Sequence, residues 1–235
     1  MNRDLVCVLR LVFDSIPKPI RNSKFIFILT KLFFKLPDEL FMFRHNYSSN
    51  KITDLKSYYT NGKGKSLKRI SPTTDINSKH LNILKKFIID LKPNSIIDVG
   101  CGSGFLISLL NNEISDCAFH GIDFNIENYD ETIYLAKDNS INFESCTIEK
   151  KLDEIKDGNY NVVVCSHVLE HIKNPEKILS ELRRIASDYI IIICPMEKPY
   201  KWGMNYHINF FPTIHEFIKL IESDYRKSHA VFWLI

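Results

Sequence analysis

The sequence predicts a doubly wound α/β fold with a mostly parallel sheet, preceded by a helical N-terminal extension. Three observations carry this. From about residue 75 onward, short apolar runs alternate with segments of helical period. The runs are apolar at successive positions, as in Val162-Val163-Val164-Cys165, which buries both faces of a strand and is the habit of parallel sheets covered by helices. A glycine-rich turn also stands between one such run and the helix that follows it.

Taken in order, residues 1–45 hold 7 of the 16 phenylalanines and read as short helices separated at Pro17/Pro19 and Pro37. Residues 46–75 are polar, with Gly62, Gly64 and Pro72, and read as a linker or a loop over a site. Asp75 or Asn77 caps a helix whose apolar positions Leu81, Leu84, Ile88 and Leu91 recur at helical spacing, ending before Pro93. Strands follow at Ser95–Val99, Ala118–Asp123, Ile141–Ser145, Tyr160–Ser166 and Tyr189–Cys194. Helices are expected at Phe105–Asn111, Glu127–Lys137, Asn174–Ala186 and Thr213–Glu222, and a sixth strand within Lys227–Ile235. The pattern therefore divides the chain into an N-terminal cap or extension, residues 1–75, and a cofactor-binding domain, residues 76–235.

A chain of 235 residues, 45% hydrophobic and 25% charged, suits one full domain with an appendage and excludes collagen-like, disulfide-scaffold and disordered classes. Its net charge of +3 conceals an uneven distribution: residues 1–75 carry 14 Lys/Arg against 6 Asp/Glu, residues 76–235 carry 17 against 22. The six cysteines form no C-x-x-C pair and lie mostly in apolar runs, so buried free thiols in a reducing compartment are expected. Arg10, Pro17, Pro19 and Lys24 interrupt any signal-like stretch, and Phe25 to Phe43 is too short and charged to span a bilayer. The expected location is the cytoplasm, or the inner face of the membrane as a peripheral protein.

The informative segment is Asp98-Val99-Gly100-Cys101-Gly102-Ser103-Gly104. Glycines there allow a sharp turn and close approach of a ligand, with the next helix pointing its N–H groups at the site. Asp123 ends the next strand, 19 residues after Gly104, where a carboxylate can accept both hydrogen bonds of a ribose diol. A dinucleotide calls for G-x-G-x-x-G; here the third glycine comes one residue early. Asp98 would also repel a pyrophosphate but suits a ligand bearing an amino group and a sulfonium. A nicotinamide oxidoreductase is thus disfavoured, though it remains an alternative.

These residues, with Gly121-Ile122-Asp123 and the run Tyr160 to Ile172 followed by Asn174-Pro175, resemble the class I S-adenosylmethionine-dependent methyltransferase family over about residues 76–224. The resemblance implies a Rossmann-like methyltransferase domain and S-adenosyl-L-methionine as cofactor. It places Gly100, Gly102 and Gly104 at the methionine part, Asp98 near the amino group, Asp123 on the ribose and Phe124 against adenine. Ser166 and His167 would line the methionine portion. The family's acid after strand three is replaced by Ser145-Cys146-Thr147, so the adenine contact falls to Cys146 and Thr147 or to their backbone.

His167-Val168-Leu169-Glu170-His171 also matches a zinc-protease spacing, but that motif needs a helix and this one begins where a strand has just ended. Neither the Asp/Asn-Pro-Pro-aromatic signature of N-methylating relatives nor the acidic cluster of the magnesium-dependent type is present. The expectation is metal-free transfer to an oxygen, with a nitrogen or carbon as the alternative. An alcohol or phenol then needs a base titrating near neutrality. The segment Pro195–Pro212 is long and irregular, a frequent mark of function. It supplies His207 as first candidate base and Tyr200, Trp202, Tyr206 and Asn209 to grip an acceptor; His171 is the second candidate. Each His has a plainer reading, tethering the loop or packing beneath the site.

The acceptor is expected to be a small molecule, a sugar or glycan precursor, or a lipid-linked intermediate. A catalytically silent, cofactor-binding partner subunit is the alternative from another class. The edge formed by Ala230 to Ile235 would invite aggregation unless a second copy or residues 1–45 cover it, and the family usually adds a seventh, antiparallel strand there. Three roles compete for the basic N-terminal third, residues 1–75: a cap on the active site, peripheral contact with an anionic membrane through residues 1–45, or nucleic-acid binding. The last is disfavoured because the basic residues are interleaved with Phe, Ile and Leu.

Overall fold

The computed structural model describes residues 12, 15–34, 38–49, 51–52, 79–124, 141–199, 205–222 and 229–234. The chain divides into two compact units. The first comprises Met1–Thr73 with Met196–Thr213, the second Thr74–Pro195 with Ile214–Ile235.

The second unit is built on a six-stranded sheet in the order β3-β2-β1-β4-β5-β6, every pair parallel. The strands are β1 Ser95–Val99, β2 Ala118–Asp123, β3 Ile141–Ser145, β4 Tyr160–Ser166, β5 Ala186–Cys194 and β6 His229–Leu234. Because strand order reverses between β1 and β4, connections leave in opposite directions there and open a crevice at the carboxyl ends. Asn161 ties the other end of this pair: its Oδ1 accepts the Asn94 and Ser95 N–H groups, both at 3.1 Å.

Alternate residues face opposite sides of the sheet. Ile96, Val162, Val164, Ile191 and Ile193 form one core with Leu84 and Ile88 of the helix Lys79–Leu91 and Leu106, Ile107 and Leu110 of the helix Phe105–Asn111. Ile97, Val99, Val163, Cys165, Ile190 and Ile192 are equally buried. The helix Pro175–Ile185 packs on β4 and β5 and buries Ile178, Leu179, Leu182 and Ile185. Cys101, Cys117, Cys165 and Cys194 are buried free thiols and Cys146 is half-buried.

Four of the expected strands have the expected bounds, and the doubly wound parallel architecture is as read from the sequence. Two elements differ. β5 starts at Ala186 rather than Tyr189, since Ala186 pairs with Tyr160 across a register shift that admits Ser187 and Asp188 at the exposed end. A further helix, Ile148–Glu154, follows β3; it is short and polar, buries only Ile148 and Leu152, and has its Leu152 carbonyl bound by Arg184 Nη2 at 2.7 Å. The Asn174 and Ala186 ends of the expected helix are its caps, and the last helix is Ile214–Glu222. β6 lies at the sheet edge beside β5. The expected helix Glu127–Lys137, the caps Asp75 and Asn77, and most of the 46–75 segment lie outside the described residues.

In the first unit, helices α1 Lys18–Arg21, α2 Lys24–Phe34 and α3 Asp38–Ser48 follow one another. Pro17 precedes α1 at its N-cap position, and the Ser23 hydroxyl accepts the Ile26 N–H at the start of α2. The segment Met196–Thr213 closes on itself: Met196 bridges Phe211, and the Glu197 N–H donates to the Phe211 carbonyl at 3.2 Å. Arg21 Nη2 donates to the Pro199 carbonyl at 3.1 Å, and Phe43 packs edge-on to Tyr206 with ring centroids 4.8 Å apart. Among the described residues no helix is long and apolar enough to cross a membrane.

Candidate active site

In the second unit the turn after β1 has Gly100, Gly102 and Gly104 all at positive φ, +80°, +55° and +74°, a region that only glycine adopts without strain. The loop is pinned to β2, since the Gly100 and Cys101 N–H groups both donate to the Ile122 carbonyl, at 2.8 and 3.1 Å. A side chain at Gly100 would drive into Val168 and one at Gly104 into the Phe143 ring. At Gly102 a Cβ would meet nothing within 4 Å, so this glycine faces open space. Its N–H donates to Asp123 Oδ2 at 3.0 Å.

Asp98 is the penultimate residue of β1, opposite Gly121 and Val164, and is buried. Its Oδ1 has no hydrogen-bond donor among the described residues. Burial first, and then the nearby Asp123 charge, push its carboxyl up to about 7. A buried carboxylate oxygen without a donor is costly, and a cationic ligand atom relieves that cost. The Cys146 N–H donates to the Asp123 carbonyl at 3.0 Å, bringing the end of β3 to the same place; Thr147 caps the helix after it, and Phe124 is half-buried.

Ser166 ends β4. His167, at φ +56°, is one of three non-glycine residues with positive φ among those described, and its N–H donates to the Ile193 carbonyl at 2.8 Å. Strained backbone of this kind gathers at functional sites. Its Nδ1 lies 3.1 Å from Oε1 of Glu170, which is completely buried. The Cys194 thiol hydrogen-bonds to Glu170 as well, and burial raises the Cys165 and Cys194 thiols. Leu169–His171 form a 3-10 turn rather than the helix that a zinc-protease motif requires, and His171 is half-buried.

The first unit holds the expected loop residues Tyr206, His207 and Asn209. His207 Nδ1 hydrogen-bonds to Oε1 of Glu197, a carboxylate 2% exposed. Asn205 Nδ2 donates to both Glu197 oxygens, at 3.2 and 3.1 Å, while its Oδ1 accepts from the His207 N–H and from Arg44. Arg44 Nε also donates to the His207 carbonyl at 2.9 Å and its guanidinium lies 4.4 Å from the centre of the Phe210 ring. A carboxylate fixes the orientation of the imidazole, and backbone contacts from Arg44 fix the loop that carries it. Tyr206, expected to grip an acceptor, is 1% exposed and packs in this unit's core. Tyr200 and Trp202 lie outside the described residues.

Glu197 and Arg44 were not singled out from sequence. Glu197 sits 10 residues from His207 in an irregular segment and Arg44 is 163 residues away, so no periodicity connects them.

Comparison with known proteins supplies the chemistry. A sequence family described as a methyltransferase domain matches residues 91–231. A ubiquinone biosynthesis O-methyltransferase of Nitrosomonas europaea is 26% identical over 165 residues, 64% of this chain and 67% of that protein. One from Rickettsia typhi is 32% identical over 143 residues, 57% of this chain and 56% of that protein. An O-antigen chain terminator bifunctional methyltransferase/kinase, WbdD, of Escherichia coli is 25% identical over 123 residues, 48% of this chain and 17% of that protein. The chain thus spans between about one sixth and two thirds of these relatives.

Proposed function

The chain belongs to the class I S-adenosylmethionine-dependent methyltransferase family, and from that premise we propose that it methylates a hydroxyl oxygen on a small-molecule, glycan or lipid-linked acceptor. The observation that carries the oxygen assignment is the Glu197–His207 pair.

S-adenosylmethionine is the cofactor. The residues present fit it: the bare Oδ1 of Asp98 suits its ammonium, Gly102 leaves room for a ligand against the backbone, and Asp123 is fixed on the same loop. It supplies a methyl carbon activated on a sulfonium, which departs as a neutral thioether. Ser166 and His167 close the methionine end in this reading, and Phe124, Cys146 and Thr147 the adenine end.

Forming an O–CH3 bond requires the acceptor's proton to leave as its oxygen attacks. His207 takes that proton at Nε2. Glu197 holds Nδ1–H and stabilises the imidazolium that results, and the proton later passes to water. Asn205 satisfies the Glu197 carboxylate, so the buried acid stays oriented rather than swinging away. His171 remains the second candidate base.

The relatives support an acceptor tied to a quinone or a glycan, because their names specify ubiquinone biosynthesis and O-antigen termination. The test is transfer of a labelled methyl group to a panel of phenols, catechols and sugars, with aliphatic amines as controls. Label in a phenol or sugar, lost in His207→Gln, is expected. Label confined to amines would overturn the oxygen assignment.

A further inference from the structure

Helix α2 is 11 residues long, about 16 Å at 1.5 Å per residue, which is far too short to cross a bilayer. Its described side chains nevertheless leave large apolar groups in water: Phe25 68% exposed, Ile28 41%, Leu29 48% and Leu32 68%. The spacing of three, four and seven residues places all four on one stripe of the helix. Ile20, 52% exposed, precedes them on α1. Exposed apolar residues scattered singly need no explanation, whereas a contiguous stripe does.

The charge around the stripe selects its occupant. Residues 15–34 contain Lys18, Arg21, Lys24 and Lys31 and no Asp or Glu. Lys18 and Lys24 are exposed; Arg21 is turned inward to the Pro199 carbonyl, and Lys31 pairs with Asp38. An apolar stripe flanked by exposed ammonium groups, on a helix without acid, matches an anionic lipid surface, where the hydrocarbon takes the rings and the headgroups take the lysines. Nucleic acid would leave the stripe in water.

We infer that α2 lies in the plane of an anionic bilayer surface, with Phe25, Ile28, Leu29 and Leu32 below the headgroups and Lys18 and Lys24 among them. The inference is independent of which acceptor is methylated.

The experiment is co-sedimentation of the full chain with phosphatidylcholine vesicles, with and without phosphatidylglycerol. Binding is expected to the mixed vesicles, weakened at high salt and much weaker on pure phosphatidylcholine. The double variant Phe25→Ser/Leu32→Ser is expected to lose about tenfold or more in vesicle affinity. Both positions are exposed, so its thermal melt and S-adenosylmethionine binding should stay as in the parent. Lys24→Gln should reduce binding to the anionic vesicles only. The inference is overturned if the parent stays in the supernatant with anionic vesicles, or if the double variant binds as well as the parent. It is equally overturned if the parent forms a dimer that the double variant abolishes while neither binds vesicles.

Discussion

Asp123 receives the Gly102 N–H on its Oδ2 at 3.0 Å, so the acid at the end of β2 and the middle glycine of the β1 turn are locked together before any ligand arrives. This contact fixes the side chain that is proposed to meet the ribose diol. Replacing Asp123 with Ala frees the loop and removes the acceptor together, and is expected to weaken S-adenosylmethionine binding by about 10- to 100-fold. Calorimetric titration checks it.

Asp98 makes an opposite prediction for stability and for binding. Its folded carboxyl titrates at about 7, above the ordinary 3.8, so between those values the ligand-free folded state binds more protons than the unfolded chain. The contribution of this group to stability therefore falls as pH rises from about 4 to about 7. Asp98→Asn is expected to stabilise the ligand-free chain at pH 8, by about 1 kcal/mol or more, while costing about tenfold or more in cofactor affinity. Thermal melts and titrations on the same preparations separate the two effects.

The same group sets a pH dependence for cofactor binding. A bound ammonium lowers the Asp98 carboxyl, so binding releases a proton wherever the free protein is still protonated. Affinity is expected to be level above pH 7 and to fall below it, approaching about tenfold per unit. Asp98→Asn should flatten that slope.

Gly100 and Gly102 separate packing from ligand approach. Gly100→Ala forces a Cβ into Val168 at φ +80° and is expected to cost roughly 2–3 kcal/mol of stability. Gly102→Ala meets no protein atom within 4 Å, so only the backbone strain of φ +55°, about 1 kcal/mol, opposes it. Its larger effect should be on S-adenosylmethionine, whose affinity falls while the melt changes little.

The Glu197–His207 pair predicts a pattern in the kinetics. His207→Gln is expected to lower kcat by about 100-fold or more with cofactor affinity unchanged. Glu197→Gln keeps the shape, loses the charge, and should lower kcat by about tenfold or more, with partial rescue in Glu197→Asp. The double variant should be no slower than His207→Gln alone, because the carboxylate acts through the imidazole. Equal additive losses would mean that the two residues act separately.

The fold was legible where local signals and burial agree. Ile96-Ile97 and Val162 to Cys165 announce buried parallel strands through β-branched runs, and Phe105–Asn111 opens after its glycines. The helix Ile148–Glu154 was not legible, since its stability comes from Arg184 clamping its end as much as from its own two buried residues. In the site, Asp98, the glycines and Asp123 follow one another in strand–turn–helix–strand order and could be read directly. The setting of His207 could not: its carboxylate and its arginine arrive from an irregular loop and a distant helix, brought together only by tertiary packing.

The most direct test of the site is parallel calorimetric titration of the full chain with S-adenosylmethionine, S-adenosylhomocysteine and NAD. Binding of both sulfur ligands, weakened in Asp98→Asn, with no heat from NAD, is the expected result. Binding of NAD in their place would contradict the assignment of Asp98 and the glycine turn to a methyl donor.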